Sequence, residues 1–378
     1  MSATRRDFIR QSTVAGAGML LAPTLSRAEV ANAAPTPSKA KKLLILGGTG
    51  FIGPNTVKYA LARGHEVTIL TRGRSATKVQ GVEHLIADRE GDLGVLSRRT
   101  WDAVLDNNAR DYRWVTRSVK ALRDSTGYYL FVSSISAYNT DAFSYRTAGD
   151  VRTTPVPESA ERFTRPANFK DGDEAPYGLS KSISEELVMA SFPRGGCVVR
   201  PGLIVGPGDP TDRFTYWPVR IDEGGEVLAP GNPNHASQVI DQRDLTEWVV
   251  RLAEAGTTGI FNATGPATRW STAEMLAGCR AITSSAVSFT WVPESFLDEQ
   301  KVRIWSDMPA WAPGDPLMFV SVAKAVAAGL TYRPFAVTAL DTLEWDKSRP
   351  AAERAKRAAG ITRQREAELL AAWKRRAR

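Results

Sequence analysis

Cysteine and histidine are scarce in this chain: 378 residues hold two cysteines and three histidines. Disulfide frameworks belong mainly to small cores with dense cysteine. Cys197, in the apolar run Gly196-Cys197-Val198-Val199, and Cys279, in a helix-like stretch, therefore read as buried free thiols. His65, His84 and His235 are scattered without metal-ligand spacing, and no metal is expected. The mature chain shows no membrane span. There is no internal repeat, and biased composition is confined to the two ends. With 43% apolar and 24% charged residues, a chain of this length buries a real core, which excludes a disordered or fibrous protein.

Lys plus Arg number 49 against 41 acidic residues, a formal charge of +8 that taken whole suggests nucleic acid or a membrane surface. Its location changes that reading. Residues 1–33 contribute +2 and residues 347–378 contribute +8, which leaves −2 on residues 34–346. The body needs no basic face, and there is no strong case for nucleic acid. The basic tail, 347–378, carries Leu369, Leu370 and Trp373 at helical spacing and is expected to dock that stripe, leaving its lysines and arginines in water.

The amino terminus resembles a bacterial twin-arginine export signal. Arg5-Arg6 precedes a weakly apolar stretch, Ser12 to Leu25, and an Ala-x-Ala site at residues 31–33. The apolar part is too short and too rich in Gly and Ala to span a membrane comfortably. The resemblance implies export of a folded protein to the periplasm or beyond, with the export machinery as a partner; an unused signal would leave the protein cytoplasmic. Residues 34–41 read as a linker.

From residue 42 the pattern is strand, glycine turn, helix. The run Lys42-Leu43-Leu44-Ile45-Leu46 leads into Gly47-Gly48-Thr49-Gly50-Phe51-Ile52-Gly53, and a second strand follows at Glu66 to Thr71. Glycines let the backbone approach a pyrophosphate whose charge sits at the helix N-terminus, which makes Gly47, Thr49, Gly50, Phe51, Ile52 and Gly53 candidate dinucleotide contacts. After the second strand, where an acidic residue would take the ribose of NAD, stand Thr71-Arg72-Gly73-Arg74-Ser75. Guanidiniums at Arg72 and Arg74 suit a 2′-phosphate, so NADP(H) is favoured and NAD(H) stays open. Further strands at 82–87, 101–108 and 128–132 end near Asp88, a candidate for the adenine amino group or a helix cap, and near Asn107, a further cofactor candidate. Strands alternating with helical segments imply an α/β, Rossmann-like, doubly wound parallel sheet.

The fifth strand ends in Ser133-Ser134-Ile135-Ser136, and Tyr177-Gly178-Leu179-Ser180-Lys181 opens a helix. Tyr177 and Lys181 share a helix face, and an ammonium beside a phenol lowers its pKa for proton transfer at a carbonyl or hydroxyl. These motifs, with Arg200-Pro201-Gly202 and Gly206-Pro207 after a sixth strand, resemble the extended short-chain dehydrogenase/reductases, the family of NAD-dependent epimerases and dehydratases, over residues 42–346. The resemblance implies that Ser134 orients the substrate oxygen, with Ser133 and Ser136 as substitutes. Tyr177 would be the acid/base, and Lys181 would hold the nicotinamide ribose. It also implies a smaller carboxyl-terminal α+β substrate region, mainly 207–335, where Arg213 and Tyr216 are substrate candidates within a segment, 209–218, similar to epimerase-like proteins of undefined substrate. Asp244 reads as a helix cap. Ser134 and Tyr177 stand 43 residues apart, longer than the family usually shows, with a lid or a surface loop at Thr140 to Asp173. The expected activity is hydride transfer at a hydroxyl or carbonyl of a sugar-like or other polyhydroxylated small molecule, with tightly held cofactor. An ordinary NADPH-dependent reductase and a non-catalytic RNA-binding or scaffold protein on the same fold are the alternatives, and a homodimer stays open.

Overall fold

A computed structural model describes residues 39–75, 79–107, 109–142 and 154–376. The export-signal segment 1–33 and linker residues 34–38 lie outside them.

The first five strands, β1 (Lys42–Leu46), β2 (Glu66–Thr71), β3 (Glu83–Ile86), β4 (Ala103–Asp106) and β5 (Tyr129–Val132), join β6 (Gly196–Pro201) and β10 (Gly259–Ala263) in a seven-stranded parallel sheet ordered β3-β2-β1-β4-β5-β6-β10. This is the doubly wound sheet expected from the sequence. Leu43 to Leu46 are fully buried, because a central parallel strand is covered on both faces and therefore reads as one apolar run. Successive connections run one way from β1 to β3 and the other way from β4 onward. The order thus reverses between β1 and β4 and opens a crevice at the carboxyl ends of the strands.

Helices α1 (Gly53–Ala62) and α5 (Gln242–Ala255) pack Val57, Ala60, Leu245 and Trp248 on one face of the sheet. On the other face lie Val115, Val119 and Leu122 of α2 (Tyr112–Leu122) and Val188 of α3 (Tyr177–Ser191). The N-cap of α5 is Asp241, whose carboxylate accepts from Arg243 N at 2.8 Å. Asp244, expected as a cap, lies inside the first turn and pairs with Arg333 at 2.7 Å.

A second core forms around two parallel strand pairs, β7 (Leu203–Val205) with β9 (Val239–Asp241) and β8 (Gly225–Pro230) with β11 (Val287–Val292). Trp217 of α4 (Tyr216–Asp222), Leu228, Trp311, and Leu369 and Leu370 of α7 (Arg363–Arg376) fill it, with α6 (Phe335–Ser348) alongside. Cys197 and Cys279 are buried free thiols in the two separate cores.

The tail helix does more than cover this core. Glu366, 2% exposed, accepts from Arg220 Nε at 2.6 Å and Leu228 N at 3.0 Å, tying α7 to α4 and β8. The tail cations are not simply solvated as expected: Lys374 pairs with Glu226, Arg376 with Glu299, Arg357 with Asp346 and Arg349 with Asp212.

Removing the Glu366 carboxylate would leave the buried Arg220 guanidinium with the Gly224 and Glu226 carbonyls but without its countercharge. Glu366→Ala is expected to lower unfolding free energy by about 3–5 kcal/mol. Glu368→Ala, on the exposed side of the same helix, should stay within about 0.5 kcal/mol; urea denaturation of the two variants checks the contrast.

Candidate functional site

The glycine turn sits at the amino end of α1. A side chain at Gly53 would lie 2.5 Å from the Gly47 carbonyl oxygen, so only glycine lets the helix begin against the turn. No side chain caps α1 and no acidic residue occupies its first turn, so its positive dipole end remains available to an anion.

Two cavities of about 740 and 480 Å³ run along the carboxyl edge of the sheet and share Gly47, Gly50 and Arg110 in their walls. Thr49, Arg72, Arg74 and Asp88 line the smaller cavity, and Phe51, Ile52, Asn107, Ser134, Tyr177, Lys181 and Arg213 the larger. Arg74 stands 3.7 Å from Asp88, whose Oδ1 accepts from Glu90 N in a turn and caps no helix. Asn107 donates to Thr56 Oγ1 at 3.1 Å, while its Oδ1 is buried without a partner among the described residues. A dinucleotide fits this set: an uncapped helix terminus, a buried acceptor wanting a donor, and a turn with no side chain in the way.

At the inner end, α3 is pressed onto the serine turn. A side chain at Gly178 would strike the Ser136 carbonyl, and this close approach sets Tyr177 beside the serine turn, in the same cavity wall as Ser134. Ser134 Oγ also hydrogen-bonds Ser136 Oγ at 3.1 Å, whereas the Ser133 hydroxyl donates to Glu185 at 2.6 Å. Lys181 is buried, with its Nζ donating to the Val132 carbonyl at 2.9 Å and lying 5.6 Å from the centre of the Tyr177 ring.

Burial pushes Lys181 down to about 8, against the upward pull of Asp106 and Glu185. Tyr177 has a half-exposed ring, yet burial of the hydroxyl raises its pKa. The Ser134 hydrogen bond and the charges of Arg110 and Arg213 pull it back down.

Glu185, one turn past Lys181, was not singled out from the sequence. It is fully buried and accepts from Arg200 at 2.9 and 2.7 Å, Arg162 at 3.0 Å and Ser133, clamping α3 to β6. Arg110, Asp209 and Trp305 are further cavity residues the sequence left unassigned. Tyr216, a substrate candidate, belongs instead to the second core. Its hydroxyl is buried without a partner among the described residues, and the chain turns it away from the cavity as α4 begins. Of the 140–173 segment, 143–153 lies outside the described residues. The rest is tied down, with Val156 bridged to Val320 and Glu158 accepting from Asn262 N at 3.1 Å.

A parallel sheet of this order, with its groove at the switch point, defines a Rossmann-type dinucleotide fold. Residues 43–263 match the NAD dependent epimerase/dehydratase family, and the chain belongs to that family. Among curated relatives, 2-alkyl-3-oxoalkanoate reductase of Stenotrophomonas maltophilia is 28% identical over 44% of this chain and 52% of its own length. The chloroplast stem-loop binding protein of 41 kDa b of Arabidopsis thaliana is 26% identical over 60% of each chain. The chain thus spans little more than half the length of these relatives. A Thermus thermophilus UDP-glucose 4-epimerase in complex with NAD superposes with a TM-score of 0.57 at 20% identity, covering 82% of this chain and 100% of that one. Bordetella bronchiseptica WbmG, in complex with NAD and UDP, gives 0.58 at 17% identity, covering 86% and 98%. At these identities the likeness is one of fold.

Between about pH 8 and 10.5 the unfolded chain holds a proton on Lys181 that the folded chain lacks, so this group makes stability rise with pH across that window. From pH 7 to 10.5 the unfolding free energy of wild type should gain about 3 kcal/mol relative to Lys181→Met. An unchanged difference in urea melts would mean that the lysine keeps its ordinary pKa.

Proposed function

We propose that the protein is an NAD(P)-dependent oxidoreductase of the epimerase, dehydratase or reductase type, acting on a hydroxyl or carbonyl of a small polyhydroxylated molecule. The observation that carries this reading is the convergence of Ser134, Tyr177 and Lys181 on one cavity, with Lys181 buried under the tyrosine ring, at the inner end of a groove lined by the glycine turn. A bound nicotinamide supplies hydride acceptance and donation. Ser134 donates a hydrogen bond to the substrate oxygen. Tyr177 takes the proton from that oxygen as a hydroxyl and returns it to the carbonyl. The oxidative direction uses the Tyr177 phenolate and the reductive direction its phenol; burial raises the pKa of the free phenol, and Arg110, Arg213 and Ser134 oppose that rise. Lys181, beneath the tyrosine, would hold the nicotinamide ribose.

Arg72 and Arg74 at the far end favour NADP(H). Here the reading departs from the solved neighbours named above, whose complexes hold NAD. The amino-terminal resemblance favours export through the twin-arginine route. That route carries folded proteins, so the dinucleotide would travel already bound. A reaction that leaves it unchanged overall, as epimerisation or internal dehydration does, suits a compartment without regeneration. A reductase with exchangeable cofactor is the second reading, favoured by the name of the Stenotrophomonas relative. The stem-loop binding relative keeps an RNA-binding role in view, but here much of the basic tail is ion-paired to the body.

Tyr177→Phe should lower kcat by about 10²- to 10⁴-fold with dinucleotide affinity unchanged; retained turnover would overturn the acid/base role. Replacing Arg72 and Arg74 by Ala should weaken NADP(H) binding about tenfold or more while leaving NAD(H) nearly unaffected, read by calorimetry. Native mass spectrometry of the exported protein should find a dinucleotide retained. Protein that arrives empty and turns over only with added dinucleotide would overturn the tight-binding reading.

A further inference from the structure

The loop after β7 brings a buried carboxylate into the larger cavity. Asp209 is 1% exposed, and its Oδ1 accepts from Thr211 N at 2.9 Å and from Thr211 Oγ1 at 2.6 Å. Its Oδ2 is buried and has no partner among the described residues. A buried carboxylate oxygen left without a donor is costly, so the position gains when something in the cavity donates to it. Burial raises the Asp209 pKa, while the Thr211 hydrogen bonds and the Arg213 charge oppose the rise.

The same threonine hydroxyl accepts from Arg213 Nε at 3.1 Å. Asp209, Thr211 and Arg213 thus form one hydrogen-bonded chain that uses up Nε and leaves the two terminal guanidinium nitrogens without a partner among the described residues. The guanidinium carbon lies 5.9 Å from the centre of the Trp305 ring, which lines the cavity beside it. Trp305 in the wall, at φ +64°, and Asp212 behind the loop, at φ +53°, are held in backbone conformations that non-glycine residues rarely adopt. Asp212 is kept there by Arg349 at 3.0 Å and Ala358 N at 3.1 Å. Such strain persists where the surroundings over-determine it, and it clusters at ligand clamps. Arg110 lines the same cavity and, like Arg213, acts on the Tyr177 hydroxyl.

We propose that Asp209 and Arg213 form a paired selector for a substrate that carries both a hydroxyl and an anionic group, as a sugar acid or a sugar phosphate does. Asp209 Oδ2 accepts from a substrate hydroxyl. The terminal nitrogens of Arg213 bind the carboxylate or phosphate, with Arg110 adding positive charge, and Trp305 flanks the carbon skeleton. A neutral polyol would leave the guanidinium uncompensated, and an anion without a hydroxyl would meet the Asp209 carboxylate unshielded. The inference deepens the reading above and rests on it, since it takes this cavity as the place where the reacting hydroxyl or carbonyl lies.

The test is calorimetry on full-length protein carrying its dinucleotide and Tyr177→Phe, so that probes bind without turning over. The probes are glucose, glucuronate and glucose 6-phosphate. At least one anionic probe is expected to bind about tenfold or more tighter than glucose, and which one does so identifies carboxylate or phosphate as the anion. Arg213→Met should abolish that preference. Asp209→Asn, which keeps an oxygen for Thr211 but turns the free acceptor into a donor, should weaken the preferred probe several-fold. Equal binding of all three probes, or no binding of either anion, overturns the proposal when dinucleotide binding is intact, and the comparison among probes does not depend on any selector variant folding. Failure to bind dinucleotide at all counts against the oxidoreductase reading instead.

Discussion

Between α3 and the sheet, the Glu185 carboxylate receives hydrogen bonds from Ser133, Arg200 and Arg162 with no exposure to solvent. A charge buried so deeply is tolerable only because every neighbour donates to it. The consequence is geometric. Ser133 adjoins Ser134, and Glu185 lies on the helix that carries Tyr177 and Lys181, so one carboxylate fixes the serine turn and that helix in a common frame. Arg200 carries the frame onward, since its guanidinium lies 4.7 Å from the centre of the Tyr138 ring and the Tyr138 hydroxyl donates to Asn262 in β10. The site's geometry therefore depends on a polar cluster behind the cavity wall as well as on the residues that face a ligand.

That cluster marks the limit of what the sequence discloses. The strands β1, β2 and β5 are legible because parallel strands buried on both faces leave continuous apolar runs, and the glycine turn is a local pattern with meaningful flanks. Ser134, Tyr177 and Lys181 can be picked out because their order along the chain is itself informative. Glu185 offers no such signal, since a lone glutamate on a helix reads as solvent-facing until Arg200 and Arg162 are placed around it. Tyr216 and Asp244 illustrate a different difficulty. Each lies within a few residues of a helix start, where a small shift of the cap changes what the side chain meets: Tyr216 turns into the second core, and Asp244 leaves the cap for Arg333.

The charge distribution is the other place where structure refines the sequence. The positive excess of residues 347–378 is real, but much of it is matched by acids of the body, including Glu226, Glu299, Asp212 and Asp346. The pairs of Arg349 and Arg357 are largely buried and orient the tail, those of Lys374 and Arg376 are exposed, and each offsets a charge that would otherwise attract a distant polyanion. The tail is accordingly a structural part of the second core, and through Arg349 and Asp212 it reaches the loop that lines the cavity.

The position of Glu366 also sets a timetable. The sheet that holds the glycine turn is complete once β10, ending at Ala263, has been synthesised, whereas the second core waits for Leu369, Leu370 and the carboxylate that neutralises Arg220. During synthesis the nucleotide half can assemble while the lobe beside it still lacks its last wall. The protein therefore matures from one side of its groove to the other, and the wall that carries Trp305 is finished last.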